Sequence, residues 1–202
     1  MKLSFKDGRQ GKIHIFVDDE YTLTVDDTFW FSEKWHKVNE INDAELADLT
    51  LSVNSRRAFL KGAELLSRRA HGKAELVRKL MQKYPRECAE NAADKLENLG
   101  LINDEDFAEM LAQELYTHRK YGIGRIKQEL MRRGIDRTLA EEAAERLDKD
   151  DLNRIILLLQ TKYRGNLGDE KGIVRTKNAL LRLGYSYSDI RAAFESVETE
   201  SE

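Results

Sequence analysis

Three stretches of the sequence align without a gap at intervals of 50 residues: HGKAELVRKLMQKY (71–84), YGIGRIKQELMRRG (121–134) and KGIVRTKNALLRLG (171–184). Gly72, Gly122 and Gly172 coincide, as do Leu80, Leu130 and Leu180, and then Met81, Met131 and Leu181. Arg78, Gln128 and Asn178 share a polar position. Repetition at this period marks supersecondary units that cannot close a core alone and complete it by stacking on neighbours. Charge follows the same period. Residues 56–83, 116–137 and 152–185 hold nine, seven and seven basic residues, each against two acidic ones. The segments between are acidic: 84–115 carries nine acidic residues and two basic ones.

Each unit reads as three helices. They are expected near 55–70, 73–83 and 86–99, then 104–119, 123–133 and 137–148, then 151–163, 171–183 and 187–197. Ile126, Leu130 and Met131 recur at helical spacing, while Lys127, Arg132 and Arg133 point elsewhere. Gly134 and Gly184 stand where a left-handed C-terminal cap is needed, Asp136 and Ser186 follow as N-caps, and Pro85 suits an early helical position. Ala92-Ala93, Ala143-Ala144 and Ala192-Ala193 permit close helix crossing. The chain has one proline, which favours helix throughout. The expected fold is mainly α: three tandem three-helix repeats (51–101, 102–150 and 151–202, the last with an acidic tail) forming an elongated curved solenoid. Gly122-Ile123-Gly124 resembles the opening of a phosphate loop, but Lys127 stands where a third glycine belongs, and a helix rather than a strand precedes it. Gly124 is matched by Ala74 and Val174. Gly122 is therefore expected to break one helix so that the next can begin.

Residues 1–50 differ. Leu3 and Phe5, then Ile13, Ile15 and Val17, then Tyr21, Leu23 and Val25 alternate as strands do, with Asp7-Gly8 and Asp18-Asp19 as turns. A hairpin or three-stranded meander is expected, followed by a linking helix that starts at Asn42 or Asp43. Phe29, Trp30, Phe31 and Trp35 are expected to pack this subdomain onto that helix. Asp18, Asp19, Glu20, Asp26 and Asp27 are explained by turn chemistry and edge protection better than by a metal.

The sequence gives little sign of catalysis. His14, His36, His71 and His118 lack ligand spacing, no nucleophile elbow occurs, and Cys88, the only cysteine, lies beside Glu87 and Glu90. A single cysteine excludes an intrachain disulfide. No apolar run approaches the ~20 residues of a membrane span, and the polar N-terminus lacks a signal core. A soluble, cytoplasmic, non-enzymatic protein without cofactor or metal, acting as a monomer, is expected.

RRAHGKAELVRKL, then LENLGLINDEDFAEML, then YGIGRIKQELMRRGID together resemble the RecX family of recombination regulators. GLINDEDFA (100–108) is the most specific match, and KIHIFVDDEYTLTV resembles the N-terminal extension of longer members. The third unit departs from the pattern at Thr176, where Leu76 and Ile126 are aliphatic. The resemblance implies a partner, the RecA recombinase filament on DNA, bound in its helical groove, with strand exchange and ATP hydrolysis inhibited and disassembly favoured. It also implies a place in DNA repair, recombination and the SOS response. A repeated cationic face can touch successive protomers of such a polymer, with DNA as an accessory contact. The candidate contact residues are Arg68, Arg69, Lys73, Arg78 and Lys79 in the first unit; Arg119, Lys120, Arg125, Lys127, Arg132 and Arg133 in the second; and Lys171, Arg175, Lys177 and Arg182 in the third. Two alternatives stay open: a direct DNA binder built of helix-turn-helix-like repeats, which a net charge of −3 disfavours, and a general helical scaffold for protein partners.

Overall fold

A computed structural model describes residues 1–148 and 150–199; residues 200–202 of the expected acidic tail lie outside them. The described residues form ten α-helices and one three-stranded antiparallel sheet. They divide into two compact units, residues 1–102 and 103–202. The finer division at 50, 101 and 150 stands as a proposal about how the chain was assembled from repeats.

In the first unit, β1 (Leu3–Asp7), β2 (Lys12–Val17) and β3 (Glu20–Asp26) pair in sequence order. Asp18 and Asp19 both take left-handed backbone (φ 49° and 66°), as a two-residue turn matching strand twist requires. Aspartate tolerates this because its short side chain bonds locally: the Asp18 carboxylate accepts the Lys2 N–H at 2.6 Å. In the β1–β2 turn the left-handed residues are Gln10 and Gly11 rather than Gly8. Leu3, Ile13, Ile15, Val17 and Val25 are buried as the alternation predicts, but Tyr21 is 60% exposed. A bulge explains it. Ile15 pairs with Leu23 and Phe16 with Tyr21, so Thr22 is the extra residue. Tyr21 thereby moves to the face of Phe16, whose ring it meets at 6.1 Å.

The sheet packs on α1 (Asp27–Ser32) and α2 (Asp43–Arg68) through Trp30 and Trp35, which share a core with Leu49 and Val53. Asp26 caps α1 by accepting the Phe29 N–H at 3.0 Å and pairs with Arg56 at 3.1 Å. Where two helices were expected over 42–70, the structure has one of 26 residues. Asn42 and Glu45 form a reciprocal capping box at its start. No glycine or proline interrupts α2 before Gly62. The helix therefore runs from the N-terminal core (Leu49, Val53) into the first repeat's core, where Ala58 packs with Leu76, Leu80 and Leu96 of α3 (Lys73–Leu80) and α4 (Arg86–Asn98).

The second unit holds the other two repeats: α5 (Asp104–Thr117), α6 (Ile123–Arg133) and α7 (Arg137–Glu145), then α8 (Asp151–Gln160), α9 (Glu170–Arg182) and α10 (Tyr187–Thr199). Gly134 and Gly184 adopt left-handed φ of 96° and 92°. Asp136 and Ser186 accept the N–H groups of Thr138 and Asp189. The 50-residue register holds in three dimensions: positions 72/122/172, 76/126/176 and 80/130/180 are buried in every repeat. Thr176 is the odd member, 1% exposed with its hydroxyl unpartnered. An unsatisfied buried hydroxyl costs about 1–3 kcal/mol. Thr176→Val, equal in shape and apolar like its counterparts, should therefore raise stability by about 1 kcal/mol, read as a higher denaturation midpoint at unchanged slope.

Gly122 acquires a reason that local sequence could not supply. Its φ is −75°, open to any residue, so the backbone does not require glycine. A Cβ there would lie 2.6 Å from the carbonyl carbon and oxygen of Gly184 and 2.7 Å from the Tyr185 nitrogen. Gly122 stands between α5 and α6 as the N-cap of α6, and close approach between repeats is what demands glycine there. The N-terminus of α6 abuts the C-terminus of α9, with the Gly122 N–H donating to the Leu183 carbonyl at 2.8 Å and Arg125 Nη1 to the Arg182 carbonyl at 2.6 Å. Groups that each helix leaves unbonded satisfy one another, and the positive end of one dipole meets the negative end of the other. The Tyr185 hydroxyl donates to the Lys120 carbonyl at 2.9 Å.

Candidate partner-binding surface

The fifteen cations proposed from sequence fall into two groups. In the first unit they sit at the end of α2 and on α3, and local carboxylates engage most of them. Arg68 pairs with Glu64 and Arg69 with Glu75, both at 2.5 Å. Lys73 lies 2.7 Å from both Asp94 and Glu97, whose hydrogen bonds raise its pKa well above the usual lysine value. Lys79 stands 2.8 Å from His71 Nε2 and 4.0 Å from Glu75. His71 is buried and its Nδ1 meets the Arg69 carbonyl at 2.9 Å, so Nε2 is the acceptor for Lys79. Burial, with Arg69 and Lys79 nearby, lowers its pKa and keeps the ring neutral. Arg78 is exposed on the outer side of α3.

In the second unit the balance differs. Arg132 pairs with Glu129 at 2.5 Å, and that hydrogen bond holds the Glu129 carboxyl below its ordinary pKa. Among the described residues, no ion pair engages Arg119, Lys120, Arg125, Lys127, Lys171, Arg175, Lys177 or Arg182. α6 contains one acidic residue, Glu129, and α9 one, Glu170. Lys120 holds left-handed backbone (φ 57°), a conformation costing a non-glycine residue about 1–2 kcal/mol, kept in place by the bond from Tyr185. Arg125 is committed to the junction: besides its bond to Arg182, its guanidinium lies 4.0 Å from the Tyr121 ring centre. Lys177 lies 4.8 Å from the Phe194 ring centre.

These differences set what each group can do. A cation already paired must give up its carboxylate before it takes an incoming anion, which cancels most of the gain. A cation without a partner offers its full charge to carboxylates or phosphates. The α6–α9 set of the second unit is therefore the better anion-recognising surface, and the third repeat contributes as much of it as the second.

Two features escaped the sequence reading. Arg154 lies in a basic segment but is a structural residue, 15% exposed at its side chain. Its guanidinium stacks 3.4 Å from the Tyr116 ring centre, donates to the Tyr116 carbonyl at 2.5 Å and pairs with Asp151 at 3.2 Å. Burial raises the Asp151 pKa, and it carries the Tyr185 hydroxyl up to about 12. Sequence spacing does not reveal that Tyr116 and Tyr185 converge, their ring centres lying 3.4 and 5.9 Å from the Arg154 guanidinium. Met131, counted with the apolar period, is exposed instead, because Ile126 and Leu130 already fill the core-facing side of α6.

The family model for "RecX, second three-helix domain" matches residues 103–143, which span α5, α6 and most of α7. A regulatory protein RecX of Clostridioides difficile is 28% identical, over 89% of this chain and 86% of its own length. One of Trichlorobacter lovleyi is 34% identical over 73% of this chain and 99% of its own. Among solved structures, a regulatory protein RecX superposes with a TM-score of 0.71 over 96% of this chain and 98% of that one, at 19% identity. RecX from Lactobacillus salivarius gives 0.63 over 72% and 97%, at 23% identity. These structural likenesses are of fold. With a repeated three-helix architecture, and a relative matched along nearly its whole length at 34% identity, this chain belongs to the RecX family of regulatory proteins.

Proposed function

We propose that this protein is a non-enzymatic regulator that binds the RecA–DNA filament, in its helical groove, and inhibits strand exchange and ATP hydrolysis. The observation that carries the reading is the set of cations on α6 and α9 left without carboxylate partners, in a chain whose relatives are named regulatory proteins. Charge at repeated positions suits a polymeric target, because each added contact acts at high effective concentration and multiplies affinity. Unpaired surface cations also accelerate encounter with an acidic partner and lose that advantage as salt rises.

The test is DNA-dependent ATP hydrolysis by RecA with this protein added at substoichiometric ratios. We expect hydrolysis to fall well before one copy per RecA protomer is reached. Folded protein with no effect at any ratio rejects the proposal. A second reading, direct binding to DNA, draws on the same free cations. Titration into bare single- and double-stranded DNA across a salt series separates them. Weak binding that collapses with salt leaves DNA as an accessory contact, whereas tight binding at near-physiological salt makes DNA the main target.

A further inference from the structure

The second helix of every repeat exposes an aliphatic residue at the same register: Met81 on the C-terminal side of α3 is 44% exposed, Met131 of α6 42% and Leu181 of α9 43%. Single exposed aliphatic residues need no explanation. Recurrence at one register in three repeats does, since core packing fixes positions 76, 80 and their equivalents but places no demand on 81. In α6 and α9 the surroundings recur as well. Lys127 stands one turn before Met131 with Arg132 after it, and Lys177 one turn before Leu181 with Arg182 after it. Lys127, Lys177 and Arg182 have no ion pair among the described residues, and Arg132 has the single partner Glu129. In α3 the flanking residues are Val77 and Gln82, so the cations vary while the aliphatic residue stays.

Resting on the filament reading above, we infer that Met131 and Leu181 are the apolar anchors of a protein-binding surface, and that its partner is a protein presenting apolar pockets rimmed by carboxylates. Charge complementarity selects the rim: each anchor is bracketed by a lysine and an arginine. The anchor itself selects protein over nucleic acid, because a phosphate backbone offers an aliphatic side chain no seat. Methionine and leucine can share this role because both are unbranched at Cβ and fill irregular pockets. The cations bring the partner in and set the salt dependence; the anchors slow its release.

The test uses the full chain carrying Met131→Ser and Leu181→Ser together, compared with the swap Met131→Leu and Leu181→Met. Binding is measured to RecA filaments on single-stranded DNA with a slowly hydrolysed ATP analogue, and to the same DNA bare. Burying the remaining surface of each anchor is worth about a tenfold change in affinity, so the serine pair should lose about 100-fold on the filament. Its salt slope, melting temperature and affinity for bare DNA should match wild type, and the swap should bind as wild type. Wild-type binding by the serine pair overturns the inference and leaves the filament reading standing. An equal loss on bare DNA also overturns it, because the surface would then belong to nucleic acid. Wild-type protein that fails to bind the filament rejects both.

Discussion

A variant carrying Lys127→Glu, Lys171→Glu, Arg175→Glu and Lys177→Glu should bind RecA filaments about 100-fold more weakly than wild type, mostly through slower association, while melting at the wild-type temperature. These four are chosen because none has a carboxylate partner among the described residues. Arg125 is avoided: it holds the α6–α9 junction through the Arg182 carbonyl, so its loss would mix folding with binding. Arg132 is avoided because reversal would set it against Glu129. The remaining contribution of Lys177, which is half-buried over the Phe194 ring, is worth about 1 kcal/mol, too little to unfold the unit. The salt dependence of binding should flatten in the variant, since fewer charges are screened. A first-unit control behaves differently. Lys73→Glu faces Asp94 and Glu97 with a third carboxylate, so it should lower the melting temperature first. Wild-type affinity and salt dependence in the fourfold variant would place the contact surface elsewhere.

The largest stability effect is expected at the glycine pair joining the two repeats of the second unit. Gly122→Ala drives a methyl into the Gly184 carbonyl and the Tyr185 nitrogen, at 2.6 and 2.7 Å, and backbone cannot swing aside as a side chain can. Gly184→Ala meets the Arg125 Cβ at 2.4 Å and must also hold φ 92°, where a side chain is strained. Each should cost about 3 kcal/mol, combining overpacking with, for Gly184, left-handed strain. Chemical denaturation of the full chain measures this. Gly124→Ala is the comparison. Its added methyl meets one atom, the Gly184 oxygen at 3.2 Å, and alanine improves the propensity of α6, so the net change should stay within about 1 kcal/mol. Equal losses at 122 and 124 would show that helix initiation, not the junction, is what glycine serves.

Much of the architecture was legible because repetition substitutes for many sequences. Leu80, Leu130 and Leu180 at one register identify a core position, and their burial in all three repeats follows from helical period and apolar surface alone. Gly134 and Gly184 were readable as left-handed caps, because only glycine adopts that backbone freely. Readings failed where pairing or packing against another element decides. Tyr21 left its face because a bulge against β2 shifted the register. α2 ran unbroken because two cores on successive stretches of it both reward helix. The candidate site shows the same division. That cations cluster on second helices was visible in the charge pattern. Arg68 and Lys79 meet Glu64 and Glu75 one turn away on their own helices, whereas the pairing of Arg69 with Glu75 and of Lys73 with Asp94 and Glu97 depends on which helix faces which.

The sequence by itself determined the repeat, the boundaries of the helices from α3 onward to within a few residues, the strand-rich opening and the helices that carry the charge. These depend on period, capping and turn chemistry, which act over a handful of neighbouring residues. Only the tertiary structure decided which cations remain available, why Gly122 must be glycine, and that Met131 and Leu181 look outward. The Gly122 contact with Gly184 and the pairing of Lys73 with Asp94 and Glu97 turn on groups tens of residues apart, and which side of a helix meets a core is fixed only when its neighbours pack; short-range rules hold no information about either until the chain has folded.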